Sequence, residues 1–381
     1  MPAHVVIEPT RADERALWDT LTDRLPSIAA AAADNDAHAT LPEAELRWLG
    51  TAGFDALTLP ARDGGGDGSY LFFGAVVRAL ATADPAVATV WTMHIGAAVG
   101  LAQLTRDTLG SYFADALVRG DRFANALSEP ASGNLFLSPQ QEAIPAPGGF
   151  ILNGAKRFVS GSEIADHLLV NAAVDGQPAF FGIGIDDTIE LTPIWDSLGL
   201  RGTRSQLLGF RNTLLPHERR GAAPDADHRN YVAAGLAGIS LGIADAALSA
   251  LADHARGRTI DGRPLAEQQW VQFAVADVHT RIEAAAAYWL HALRAADAGE
   301  PSAVALFGPA KLLANRAAVD AAALAVRVGG GSGYLRTSPI QRHLRDAQAG
   351  QLMAHSTEVL SGVIGRDVLT GNPASARTEG E

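Results

Sequence analysis

The 381 residues contain no cysteine. That excludes disulfides, thiolate metal ligands and a cysteine nucleophile. Positive charge is short as well: 30 Lys and Arg stand against 42 Asp and Glu, a formal net charge of −12. A nucleic-acid protein would carry a basic face instead. The segment from Met1 to Arg15 has no basic stretch followed by an apolar run, so no signal peptide is read there. No uninterrupted apolar stretch reaches the ~18 residues of a membrane span. A cytoplasmic protein without a membrane partner is the expectation. No G-x-G-x-x-G follows a first strand, which argues against a nicotinamide-binding Rossmann domain. The histidines never fall at H-x-x-x-H spacing, and no metal site is expected.

What the chain does have is apolar content, 48% of residues against 19% charged, enough to bury a large core. Residues 1–120 are alanine-rich, with helical periodicity near 11–35, 41–52, 71–105 and 107–119. The glycines between Leu59 and Ser69 mark a loop. From 121 to 225 the pattern is short strands. Phe150–Leu152, Asn153-Gly154 and Ala155–Val159 read as a hairpin, and His167–Val174, Asp175-Gly176 and Ala179–Ile185 as another. Gln206–Phe210 adds a further strand. From 226 to 381 long helices return at 232–254, 265–298 and 303–327, then a glycine-rich loop at 329–333 and a last helix near 339–370. Gly235, Gly238 and Gly242 let another helix approach the first of these closely. The expected fold is mainly α with a central β-domain. It comprises an N-terminal helical domain (1–120), a small β-barrel-like middle domain (121–225) and a C-terminal four-helix bundle (226–381).

This order, with several motifs at matching positions, resembles the acyl-CoA dehydrogenases and their flavin monooxygenase relatives over nearly the whole chain. The similar segments are LPARDGGGDGS (59–69), ALSEPASGN (126–134), GFILNGAKRFVSG (149–161), DSLGLRGTRSQLLGF (196–210), residues 242–269, and VRVGGGSGYLRTSPIQRHLRDA (326–347). The resemblance implies a flavin, FAD or FMN, with Ser128, Phe158, Val159 and Ser160 along its ring. It implies that Arg258 reaches the flavin phosphates of a neighbouring subunit in a homotetramer or dimer. Arg327, Gly330 and Gly331 would meet the adenine end. Asp261 stands where that family has phenylalanine, and Arg327 where it has glutamine, which leaves FAD and FMN both open.

The main departure concerns the general base. The position of the family's glutamate is held by Ala354, and the alternative base position on the long helix by Val232. Neither side chain accepts a proton. Glu358 matches a later, non-catalytic glutamate of the family. His355 and His94 are the remaining candidates, since imidazole can shuttle protons near neutral pH. The leading expectation is a monooxygenase using reduced flavin, O₂ and a flavin reductase on a small organic substrate. The alternatives are an acyl-CoA or acyl-carrier-protein dehydrogenase whose base is Asp225, Asp227 or His355, and a catalytically silent subunit.

Overall fold

The computed structural model describes residues 7, 9, 11–109, 111–131, 136–222 and 229–371. Asp225 and Asp227, the 225/226 boundary and residues 132–134 lie outside them. The N-terminal alanine-rich part forms α1 (Ala12–His38), α2 (Glu43–Thr51), α3 (Phe54–Leu57), α4 (Tyr70–Ala83), α5 (Pro85–Leu104), α6 (Arg106–Leu109) and α7 (Tyr112–Arg119). The single helix expected over 71–105 is therefore two. Pro85 disfavours helical backbone at the residue before it. Asp84 accordingly sits at φ −147°, ψ 106° and caps α5 by accepting the Ala86 N–H at 2.9 Å.

The middle of the chain forms β1 (Phe123–Ala126), β2 (Ala143–Ala146), β3 (Gly149–Val159), β4 (His167–Val174), β5 (Gln177–Gly184), β6 (Ile189–Thr192) and β7 (Gln206–Pro216). One sheet has the order β1-β4-β5, with β1 parallel to β4, and the other the order β2-β3-β7-β6. Asp175-Gly176 is a hairpin turn as expected, with φ of 52° and 72°. Asn153-Gly154 is not. β3 runs straight through it, and the bulge lies on the partner strand, where Arg211 and Asn212 together face Asn153; the Asn212 N–H donates to Asn153 Oδ1 at 2.8 Å. A β-carbon on Gly154 would lie 2.4 Å from Gln141 Oε1, so a larger residue there would have to push the Gln141 amide aside.

The C-terminal part comprises α8 (Tyr231–Gly257), the two-residue strands β8 (Thr259–Ile260) and β9 (Arg263–Pro264), α9 (Gln269–Asp297), α10 (Ala303–Tyr334), α11 (Pro339–Leu352) and α12 (Thr357–Thr370). The glycine run is not a free loop: α10 carries it, kinked where Gly330 adopts φ 53°, ψ −144°. The helix expected over 339–370 is broken at 353–356. A β-carbon on Gly242 would meet Ala81 Cβ at 2.5 Å, so α8 and α4 touch at backbone distance. By length and composition α5 and α8 could each cross a membrane, which corrects the reading that no segment is apolar enough. Here they are core helices, with 83% and 72% of their apolar windows buried. One apolar core joins the helices around Trp91, Tyr231 and Trp289, and a separate one fills the space between the sheets around Val159, Phe181 and Leu208.

Candidate active site

The pairing of β3 with β7 becomes irregular between Lys156 and Val159. At this irregularity Phe158 takes φ 61°, a region side-chain-bearing residues rarely occupy and which concentrates at functional sites. Its ring is 50% exposed, with the Arg157 guanidinium 4.6 Å above it and Trp195 edge-on at 6.1 Å. Arg157 Nε is buried without a hydrogen-bond partner. Val159 turns its side chain into the β core and offers only backbone outward. Ser160 Oγ lies 2.8 Å from Ser205 Oγ, which lies 2.9 Å from Thr203 Oγ1; Thr203 donates to the Leu200 carbonyl at 2.9 Å. Since Thr203 spends its proton on that carbonyl, Ser205 donates to Thr203 and Ser160 to Ser205. Ser160 thus faces outward as an acceptor. The Ser128 carbonyl accepts the Arg157 N–H at 2.8 Å, which brings residue 128 beside Phe158.

A buried ion pair that the sequence reading missed holds this corner. Lys156 Nζ donates to Glu129 at 2.7 Å and to Asn171 Oδ1 at 2.9 Å. Glu129 also accepts the N–H groups of Gln140, at 2.9 Å, and Gln141. Burial holds the Lys156 ammonium below its ordinary value against the pull of Glu129. Asn171 passes the connection on by donating to the Phe136 carbonyl at 2.7 Å. The Phe136 ring packs on the His355 ring at 4.9 Å.

His355 lies in the break between α11 and α12, not one residue along a continuous helix. Ala354 adopts φ 56°, and Ser356 starts α12 by accepting the Val359 N–H. The carbonyls of Gly350 and His355 both accept from Lys311 Nζ, at 3.0 and 2.9 Å. Among the described residues no carboxylate pairs with Lys311, and burial pushes its pKa down to about 8. The irregular turn decides where the imidazole points; on an ideal helix it would be rotated ~100° from position 354.

His94 is a different case and corrects the expectation for it. It is 1% exposed, and its Nδ1 accepts the Phe123 N–H at 3.0 Å, so Nε2 carries the proton and donates to Asp55 at 3.1 Å. Asp55 also accepts from Trp91 and from Arg122. Burial, then the Arg122 charge, hold His94 below its usual pKa. With both ring nitrogens committed inside the core, it has none to present to a substrate.

Val232, at the alternative base position, is consumed in packing: a β-carbon on Gly96 would lie 2.2 Å from Val232 Cγ2. Arg258 is exposed and caps α8, and its carbonyl accepts the Leu265 N–H that closes the β8–β9 hairpin. Arg327 is exposed with its guanidinium 5.7 Å over Trp270, near the start of α9. Gly330 and Gly331 are exposed beside it on the kinked end of α10. Among the described residues, no hydrogen bond or ring contact within this single chain joins these four to Ser128, Phe158 or Ser160. Nor is any group of three or more His, Asp or Glu placed to hold a metal.

Arg345 and Asp346 fasten α11 to its surroundings. Arg345 pairs with Asp36 on α1 at 2.5 Å and donates to the Leu198 carbonyl, while Asp346 accepts the Leu200 N–H at 2.7 Å. Burial raises Asp346 to about 7 and lowers the neighbouring His343 to about 3. Their effects on stability have opposite signs. Between pH ~4 and 7 the folded state holds the Asp346 proton that the unfolded chain has released, so its contribution is lost as pH rises through 7. For His343 the unfolded chain takes up a proton below pH ~6.5 that the folded state refuses, so its contribution is lost as pH falls. Asp346→Asn keeps the acceptor for Leu200. Relative to the parent it is expected to be more stable at pH 8 than at pH 4, by on the order of 2–4 kcal/mol. Urea unfolding at both pH values checks this; an equal difference at the two would mean that the Asp346 carboxyl titrates in the fold as it does in the unfolded chain.

Residues 12–121 match the acyl-CoA dehydrogenase N-terminal domain and residues 229–369 the acyl-CoA dehydrogenase C-terminal domain. The chain is similar to an acyl-CoA dehydrogenase of Bacillus subtilis, 29% identical over 86% of this chain and 89% of that one. It is 30% identical to a cyclohex-1-ene-1-carbonyl-CoA dehydrogenase of Geobacter metallireducens over 65% of this chain and 68% of the relative. Its fold superposes on butyryl-CoA dehydrogenase from Megasphaera elsdenii with a TM-score of 0.87 at 24% identity, covering 95% of this chain and 99% of the other. Helical ends around a two-sheet middle, the strained Phe158 corner and these matches together place the chain in the acyl-CoA dehydrogenase family.

Proposed function

We propose that the chain is a flavin-dependent oxidoreductase working without the family's carboxylate base, as a monooxygenase supplied with reduced flavin by a reductase. The observation that carries this reading is the 353–356 break, which presents an imidazole beside Phe136, one residue past Ala354, the position that the resemblance assigns to the family's glutamate. The residues at the Phe158 corner suit a planar, polar ring system: an exposed aromatic held at positive φ, an unmatched Arg157 N–H, and an outward acceptor on Ser160. Ser128, Phe158, Val159 and Ser160 would hold the isoalloxazine. Arg258, Arg327, Gly330 and Gly331, exposed at one end of the bundle, would serve the phosphates and adenine of a flavin in a neighbouring subunit of a homotetramer or dimer. A bound flavin supplies two-electron redox chemistry and, when reduced, reaction with O₂. His355 holds or removes a proton on the substrate, and Phe136 keeps its ring in place and excludes water from one face.

His355→Ala is expected to lower product formation about 10²–10⁴-fold in a reductase-coupled assay with O₂, with hydrogen peroxide released in its place. Unchanged coupling would reduce His355 to packing. The second reading is an acyl-thioester dehydrogenase with His355 as base, and the similarity to the Bacillus enzyme over 86% of the chain favours it. Turnover of butyryl- to palmitoyl-CoA with an artificial electron acceptor would select that reading. A purified chain that binds no flavin in either form would select a silent subunit.

A further inference from the structure

The C-terminal end of α1, the 196–201 segment and the junction of α10 with α11 enclose a cleft of about 280 Å³. Arg201, Arg336, Arg342 and Arg345 line it with one lining acid, Asp36, while Asp196 meets Arg201 at the rim and the buried Asp84 and Asp346 lie behind Arg342. In a chain of net charge −12 this is a local inversion of sign. Two of the arginines are engaged. Arg345 pairs with Asp36, and Arg201 donates to the carbonyls of Asp36 and Ser197, at 2.9 and 3.1 Å, and to the exposed Asp196 at 3.2 Å. Arg336 and Arg342 form no ion pair among the described residues, and Nε and Nη1 of Arg342 are buried with no hydrogen-bond partner. Buried donors left unmatched are destabilising unless something supplies acceptors. The first turn of the 14-residue α11, capped by Ser338, opens into the same cleft and adds the positive end of its dipole.

We propose that this cleft binds the phosphate or diphosphate end of a small molecule, at a site separate from the Phe158–His355 corner. Guanidinium groups are planar forks that match phosphate oxygens in pairs. A phosphate can satisfy two differently oriented forks, whereas a carboxylate matches one. The volume lies just below the roughly 300–1,000 Å³ of pockets that enclose whole ligands. The cleft therefore takes a charged head and leaves the remainder of the molecule in solvent.

The test is calorimetric titration of the intact protein, as purified, with inorganic pyrophosphate, AMP and ADP. Saturable binding of pyrophosphate at one per chain is expected, weakening as salt rises. Arg336→Gln should weaken it roughly tenfold or more, and Arg336→Gln/Arg342→Gln should abolish it, with visible flavin absorbance unchanged. Arg336 is exposed, so its variant is read without the packing change that Arg342 could bring. Tighter binding of ADP than of pyrophosphate would support the site with a nucleotide as source, and equal binding would support it with a bare diphosphate. The absence of saturable binding, or equal affinity in both variants, would overturn the proposal. Release of flavin by pyrophosphate would also overturn it, by making the cleft part of the flavin's own phosphate site.

Discussion

Asp55→Ala is expected to destabilise the protein by about 3–5 kcal/mol, the usual consequence of removing one partner from a buried ion pair. Asp55 is 1% exposed and accepts from Trp91 at 2.7 Å, Arg122 at 2.9 Å and His94 at 3.1 Å. Burial alone would raise its pKa, yet His94, then Arg122 and Trp91, bring it below the ordinary carboxylate value. Without it the Arg122 guanidinium, 2% exposed and already with an unpartnered Nη2, loses its ion-pair partner and keeps only the weaker attraction of Asp166. The Trp91 and His94 N–H groups lose their acceptor at the same time. Asp55→Asn keeps an acceptor and should cost less. Chemical unfolding measures both, and a loss under about 1 kcal/mol for the alanine variant would show that the network is dispensable.

Glu129→Ala should be comparably severe and should also reach the site. It leaves the Lys156 ammonium, with no exposed surface, bonded to Asn171 alone, and strips the acceptor from the Gln140 and Gln141 amides. A loss of about 3–5 kcal/mol is expected. The Asn171 bond to Phe136 slackens with it, and Phe136 is what His355 packs against. Product coupling should therefore fall before the protein unfolds. The double variant Glu129→Leu/Lys156→Met removes both charges and should recover most of the stability, since apolar replacement of a buried pair is often neutral. If the double variant is as unstable as Glu129→Ala, the loss comes from the Gln140 and Gln141 amides and not from the stranded charge.

Several of these features were open to a reader of the sequence, and the distinction is one of range. Asp175-Gly176 was legible because both residues need positive φ and the strands they join are adjacent. Asn153-Gly154 carries the same signal, but its meaning is set by Asn212 on β7, 59 residues away. The split at Asp84-Pro85 had a local cause in the proline and was there to be read. His94 looked like a pocket histidine because its partner Asp55 lies 39 residues earlier. Glu129 and Lys156 read as a motif acid and a strand lysine until the fold brought them within 2.7 Å. Ser356 is a local helix-start signal, but the break before it is bonded by Lys311, 44 residues upstream of His355. Order of elements and the motif segments that carry the resemblance were written locally; the electrostatic ties between them were not.

The break at 353–356 also separates two rotational phases. In one unbroken helix, a residue gained or lost near 354 would turn every later side chain by ~100°. Leu360 would leave the face that now buries it. Here four non-helical residues absorb such a change, and α12 restarts from its own Ser356 cap. His355, proposed above to act on the substrate, is thereby insulated from the packing downstream of it. Side chains at 353–355 can be exchanged while α12 keeps its register, because its first turn is set by Ser356 and not by the residues before it.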